Sequence, residues 1–263
     1  MVQQNKPAQF VLSSDSLSGY GLDLVFDLAK KAGFNGIDLA TWKNFDAWNE
    51  WYVKTLVQKY ELPITTIQVS NKVNPKELNQ ALDLCEETGA RQININAPTY
   101  FDLKTFNFIV DNLPNYKKRN KDISFAIINP PEESYIIPVP KYRFTNIVEI
   151  IKKYHANLGL DITNVNEDAL ETQLLKKLDK FVPYISTIYF SDKTRLGKGH
   201  VLPGDGTLKL PSILKKLKKA NYKGTISLKI DIEKKDLADS DKVLLILKKA
   251  TKYYQENFLD IED

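Results

Sequence analysis

Cysteine is almost missing from this sequence. Cys85 stands alone in 263 residues, which excludes an intramolecular disulfide and any zinc site built on several thiolates. Histidine is nearly as scarce, with two, so a cage of many imidazoles is excluded as well. A strong charge of one sign is also lacking. Lys and Arg total 37 against 33 Asp and Glu, and the lysines fall on helix faces such as "KKLKK" and "ILKKATK". Such faces read as solvated surface rather than as a nucleic-acid footprint. No apolar run approaches the ~20 residues of a membrane span. The opening "MVQQNKPAQF" carries no apolar signal core, so the expectation is a cytoplasmic protein with neither membrane nor nucleic-acid partners. Cys85 itself, in "ALDLCEETG", reads as a small core residue of a helix.

What is present is alternation. Eight apolar, strand-like segments run through the chain: "QFVLSS", "GIDLAT", "ITTIQVS", "QININA", "ISFAIIN", "LGLDIT", "ISTIYFSD" and "TISLKID". Amphipathic segments separate them, with Leu22, Val25, Phe26 and Ala29 at helical spacing in the first. Strand and helix taking turns argue for a parallel sheet with helices packed outside it. At this length, with 43% hydrophobic residues and no linker-like shift in composition, the fold class is α/β, a single (β/α)8 barrel over residues 1–263. One unit recurs: "KKAGFNGIDL" and "KKANYKGTISL" both run helix end, Gly or Asn, aromatic, one variable residue, Gly, strand. Gly33 and Asn221 are the types that tolerate a left-handed helix cap.

In such a barrel the functional side chains project from the C-terminal ends of the strands. Polar residues there include Asp15, Asp38, Gln68, Asn94, Asn129, Asp161, Asn164, Asp192, Lys229 and Asp231. Two stand out. Asp161 in "LGLDIT" and Lys229 in "ISLKID" lie within apolar strand sequence, where an unanswered charge costs several kcal/mol.

The segments "GFNGIDL", "LGLDITN", "YFSDKTR", "HVLPGDGTL" and "NYKGTISLKI", in this order and spacing, resemble the xylose isomerase-like TIM barrels. That superfamily contains sugar isomerases and epimerases and the endonuclease IV type of DNA repair enzyme. The resemblance implies a divalent ion held by Glu, Asp, His and Glu at the ends of strands five to eight. Position by position, this chain departs from that set. The fifth strand offers only Ala126 or Ile128, the sixth keeps Asp161, the seventh has Tyr189 for His, and the eighth has Lys229 for Glu. Asn164 stands where many epimerases have a substrate-binding His. Arg195 resembles a substrate-contacting Arg of ketose epimerases, and Asp192, His200 and the loop Pro203–Gly206 are kept.

One carboxylate beside a lysine makes a poor cage for a hard dication. The expectation is that Lys229 replaces the ion's charge and pairs with Asp161, with no metal or other cofactor. Asp161, Lys229 and Asp192 are then the candidate catalytic residues. Arg195, His200, Asn164, Tyr189 and Asn129 are the candidate ligand contacts. Three functions follow: a metal-free relative that binds a sugar, sugar phosphate or polyol; an active isomerase or epimerase using Lys229 and Asp161, with a Schiff base at Lys229 as a variant; and a repair nuclease, disfavoured by the two histidines. The oligomeric state stays open, a homo-oligomer included.

Overall fold

Eight parallel strands close into one barrel in the computed structural model, which describes residues 8–135, 139–166 and 175–260. They are β1 (Gln9–Ser13), β2 (Ile37–Ala40), β3 (Ile64–Val69), β4 (Gln92–Asn96), β5 (Ser124–Ile128), β6 (Asn157–Asp161), β7 (Ile185–Phe190) and β8 (Thr225–Leu228). Their order around the ring is their order in sequence, and each falls on one of the eight apolar segments. The ring shuts where β8 pairs with β1, Phe10 opposite Ile226 and Leu12 opposite Leu228. Outside it lie α1 (Leu22–Ala32), α2 (Glu50–Tyr60), α3 (Pro75–Thr88), α4 (Leu103–Arg119), α5 (Ile147–Lys152), α6 (Leu178–Phe181), α7 (Leu210–Lys219) and α8 (Ser240–Tyr254). In α1, Leu22, Val25, Phe26 and Ala29 are all fully buried, as their spacing requires of a helix laid on a sheet.

The recurring unit has a steric cause. Gly33 and Asn221 take left-handed φ values of 88° and 55° and end their helices. The aromatic that follows turns inward: Phe34 packs 5.2 Å from the ring of Phe10, and the Tyr222 hydroxyl donates to the Thr225 carbonyl at 2.9 Å. The second glycine is fixed by contact. A β-carbon at Gly36 would stand 2.8 Å from the Pro63 carbonyl oxygen, and one at Gly224 would stand 2.6 Å from that of Ser186.

Two features position the site. The barrel interior is polar: Asp38, Gln68, Asn94, Thr187, Tyr189 and Ser227 are all fully buried. The last strand is also shorter than its sequence suggests. Lys229 follows the end of β8 and keeps one ladder bond, its N–H reaching the Phe190 carbonyl at 3.3 Å. Ile230 then donates to the Ser16 hydroxyl, at 2.9 Å, and the chain leaves the sheet. Among the described residues no helix is long and apolar enough to cross a membrane. Cys85 is a buried free thiol, its pKa pushed up to about 12 by burial.

Candidate functional site

The C-terminal ends of the strands open into a cleft of about 720 Å³. Asp161, the last residue of β6, is fully buried behind Asn129 and Thr163, which line that cleft. Its backbone is locked to Asn129 in both directions, N–H to Oδ1 at 2.7 Å and carbonyl from Nδ2 at 3.0 Å. One carboxylate oxygen, Oδ1, accepts from Thr163 N at 3.2 Å and Thr163 Oγ1 at 2.8 Å. The other, Oδ2, is buried with no hydrogen bond among the described residues. It faces two nitrogens, His200 Nε2 at 3.6 Å and Lys229 Nζ at 3.8 Å.

Lys229 does pair with Asp161, and with a second acid the sequence did not single out. Its ammonium lies 3.8 Å from Asp15 Oδ2 as well, and sits over the Tyr189 ring at 5.2 Å. Asp15 in turn meets Lys43 at 3.2 Å. Burial works to lower the Lys229 pKa, but the carboxylates of Asp161, Asp15, Asp38 and Asp231 prevail and hold it above the ordinary lysine value. The group is therefore an ammonium, and the free amine that Schiff-base chemistry needs is disfavoured. Both ion pairs are longer than a hydrogen bond, so the ammonium keeps donors for a ligand oxygen between its partners.

Beneath Lys229 lies Asp38. Its Oδ2 accepts from Gln68 Nε2 and Ser227 Oγ, each at 2.7 Å, while Oδ1 has no partner among the described residues. Burial raises its pKa to about 7, against the pull of the Ser227 bond, Lys229 and Gln68. His200 hangs over the other side of the cleft. Its backbone is left-handed, φ 58°, an uncommon state for a non-glycine residue. Its carbonyl accepts from Asp231 N at 2.7 Å, and its Nδ1 is 3.3 Å from Ser191 Oγ. Asn164 also lines the cleft, tied to the Asn129 carbonyl at 3.0 Å.

Three candidates lie elsewhere. Tyr189 is fully buried below the cleft, in register with Asp161 and Ser227, its hydroxyl accepting from Asn94 Nδ2 at 2.7 Å. Asp192 faces its own loop: its carboxylate accepts from Lys193 N at 2.8 Å, Leu208 N at 3.0 Å and Gly204 N at 3.1 Å. A β-carbon at Gly206 would come within 2.5 Å of the Asp192 Cγ, so the "PGDG" glycine and the "SD" acid are one device that folds the loop. Arg195 is exposed at the loop tip and does not line the cleft. The residues that sequence reasoning passed over as ligand contacts are Asp15, Lys43, Lys193 and Lys198. The position of Asp15 just after the first strand was the available signal; scattered lysines gave none.

The donor set does not fit a divalent ion. No group of three or more His, Cys, Asp or Glu among the described residues could hold one, and on β5 the cleft-lining residue is Ile128, which has no donor. The unbonded carboxylate oxygen on β6, Asp161 Oδ2, faces an ammonium.

Known proteins share this architecture. The chain is 22% identical to an uncharacterized protein of Methanocaldococcus jannaschii, over 83% of this chain and 85% of that one. A D-allulose 3-epimerase from Methylomonas sp., solved with D-allulose, superposes with a TM-score of 0.67 at 15% identity, covering 96% of this chain and 98% of its own. The IolI protein, solved with a zinc atom, gives 0.71 at 14% identity, covering 95% and 99%. At such identities the structures speak for the fold alone. The profile of one family matches residues 26–250, most of the chain. With eight strands closed in sequence order and the clamped "PGDG" loop beside the cleft, this chain belongs to the xylose isomerase-like TIM barrel family.

Proposed function

We propose that the cleft binds a small sugar or polyol and that Lys229 supplies the positive charge which a divalent ion supplies in relatives such as the zinc-bearing IolI protein. The observation that carries this reading is the Lys229 ammonium between two carboxylates, 3.8 Å from each, with donors left over. A polyhydroxylated ligand suits the surroundings. Asn164 and Asn96 offer amide groups along the wall, and Trp42 and Tyr142 offer ring surface. The D-allulose bound by the Methylomonas epimerase is a ligand of this class. The test is thermal unfolding with a panel of pentoses, hexoses, ketoses and polyols. A ligand that raises the midpoint in the wild type, and loses that effect in Lys229→Met, supports the reading. Protection that survives in Lys229→Met sinks it.

A second reading, an active isomerase or epimerase, is favoured by one further distance. His200 Nε2 lies 3.6 Å from the free oxygen of Asp161, so that carboxylate can orient the imidazole. His200 would move the proton at a sugar carbon beside a carbonyl, while Lys229 holds the enediolate oxygen. Deuterium from solvent entering a bound sugar at carbon, abolished in His200→Gln, would support this reading. A bound sugar that takes up no deuterium would rule it out.

A further inference from the structure

The lysines lining the cleft are not equivalent. Lys43 and Lys229 are answered by Asp15 and Asp161. Lys193 and Lys198 stand on the β7–α7 loop beside His200, and neither ammonium has an ion pair or hydrogen bond among the described residues. Lys198 feels Glu233 only through its field, and Glu233 is bonded to Lys235 at 2.7 Å. Cleft-lining acids lie on the β5–α5 loop, where Glu132 and Glu133 stand and Glu133 is bonded to Lys141 at 2.6 Å, and at Asp231, whose N–H bonds the His200 carbonyl at 2.7 Å. The β7–α7 loop therefore brings two lysines, unpaired among the described residues, to the cleft beside one acid, Asp231.

That loop is ordered in advance. Asp192 clamps its root through Lys193 N, and Thr194 and Lys198 bond each other in both directions, N–H to carbonyl at 2.8 Å and N–H to Oγ1 at 3.2 Å. The two lysines are thus rooted on one short, ordered turn. Beyond it, the Gly199 and His200 N–H groups have no acceptor among the described residues. Two ammoniums and two free backbone donors bordering one end of a cleft make an oxyanion seat, since charge-assisted hydrogen bonds to an anion are roughly twice as strong as neutral ones.

We infer that Lys193, Lys198 and the Gly199–His200 backbone receive an oxyanion carried by the ligand, so that the ligand is an anionic sugar, a phosphate ester or a sugar acid. This rests on the sugar reading above and names the class of sugar. A neutral sugar leaves both ammoniums unanswered; an anionic one neutralises them and is drawn to that end of the cleft.

Calorimetric titration of the full chain tests it with four probes: D-allulose, D-allulose 6-phosphate, D-gluconate and inorganic phosphate. The phosphate ester or the gluconate should bind at least about tenfold tighter than D-allulose, the gain of one charge-assisted bond. Which of the two gains assigns phosphate or carboxylate. The double variant Lys193→Ala/Lys198→Ala should erase that preference, while Lys198→Arg keeps it. Lys198 is exposed and Lys193 half-buried, so the double variant should unfold at the wild-type temperature. Equal affinities for neutral and anionic sugars, or a preference that survives the double variant, overturn the inference and leave the sugar reading standing. Inorganic phosphate bound through the lysines, with no sugar adding to it, keeps the oxyanion seat and sinks the sugar reading. Silence from all four probes sinks both.

Discussion

Asp161 and Asp192 look alike in sequence, each an acid at the end of an apolar strand, and the structure gives them opposite lives. Asp192 spends its carboxylate on three backbone N–H groups of its own loop. Asp161 keeps one buried oxygen unbonded and aims it at Lys229 and His200. A buried carboxylate whose lone pairs are filled by backbone is a structural rivet. One whose oxygen is left over calls for an explanation, and this one faces Lys229 and His200 behind the cleft wall. The difference separates the frame of the cleft from its chemistry.

The contrast can be broken most violently at the rivet. Asp192→Ala strands three N–H donors that bonded a charge, and should cost about 3 kcal/mol or more in urea unfolding. Its loop should also become open to proteolysis. A loss under about 1 kcal/mol, the worth of one ordinary hydrogen bond, would show that water replaces the clamp.

Lys229→Met should cost less. Complete burial of a broken pair is worth about 3–5 kcal/mol, but this ammonium is 17% exposed and its pairs are long, so about 2 kcal/mol is expected. Asp161→Asn alone should cost a similar amount, and the double variant less than the sum, because the charges leave together. Strict additivity would mean that the two groups do not interact.

Asp38 gives a smaller, pH-dependent effect. Its pKa is raised to about 7, so it favours the folded state in its protonated form. That contribution is complete below the ordinary carboxylate range and is lost as pH rises through about 7. Asp38→Asn should therefore flatten the fall in stability between the ordinary carboxylate value of 3.8 and about 7. In Lys229→Met the midpoint should climb, since the nearby positive charge that lowers it is gone. A carboxyl carbon resonance of Asp38 that titrates in the ordinary acid range would contradict this.

The smallest effect is expected at Arg195. It is exposed and outside the cleft, so Arg195→Ala should leave stability and sugar protection within the ±0.5 kcal/mol typical of surface changes. A clear loss of ligand protection would mean that the loop tip folds over the ligand.

The barrel was legible because its signals are local and repeated. Each strand segment is apolar and each helix is amphipathic, and the Gly–aromatic–x–Gly unit has one steric cause at both of its sites. The Lys229–Asp161 pair was legible too, since a charge in apolar sequence demands a partner and these two were the ones available. Other features were hidden because they depend on register and on loops. Tyr189 sits one layer too deep to meet a ligand, a fact fixed by its pairing with Ser227. Asp15, the second partner of Lys229, is brought beside it by closure of β8 on β1, from the far end of the chain. The role of Asp192 appears only when the loop it clamps is folded.

Lys229 holding the place of a metal ion has a consequence for metal binding. Elemental analysis of the protein after incubation with manganese and zinc, followed by desalting, tests it most directly. No stoichiometric ion is expected in the wild type, and only weak retention in Lys229→Glu, which restores one acid beside Asp161 but gives β5 no donor. One ion per chain in the wild type, lost in Asp161→Asn, would contradict it.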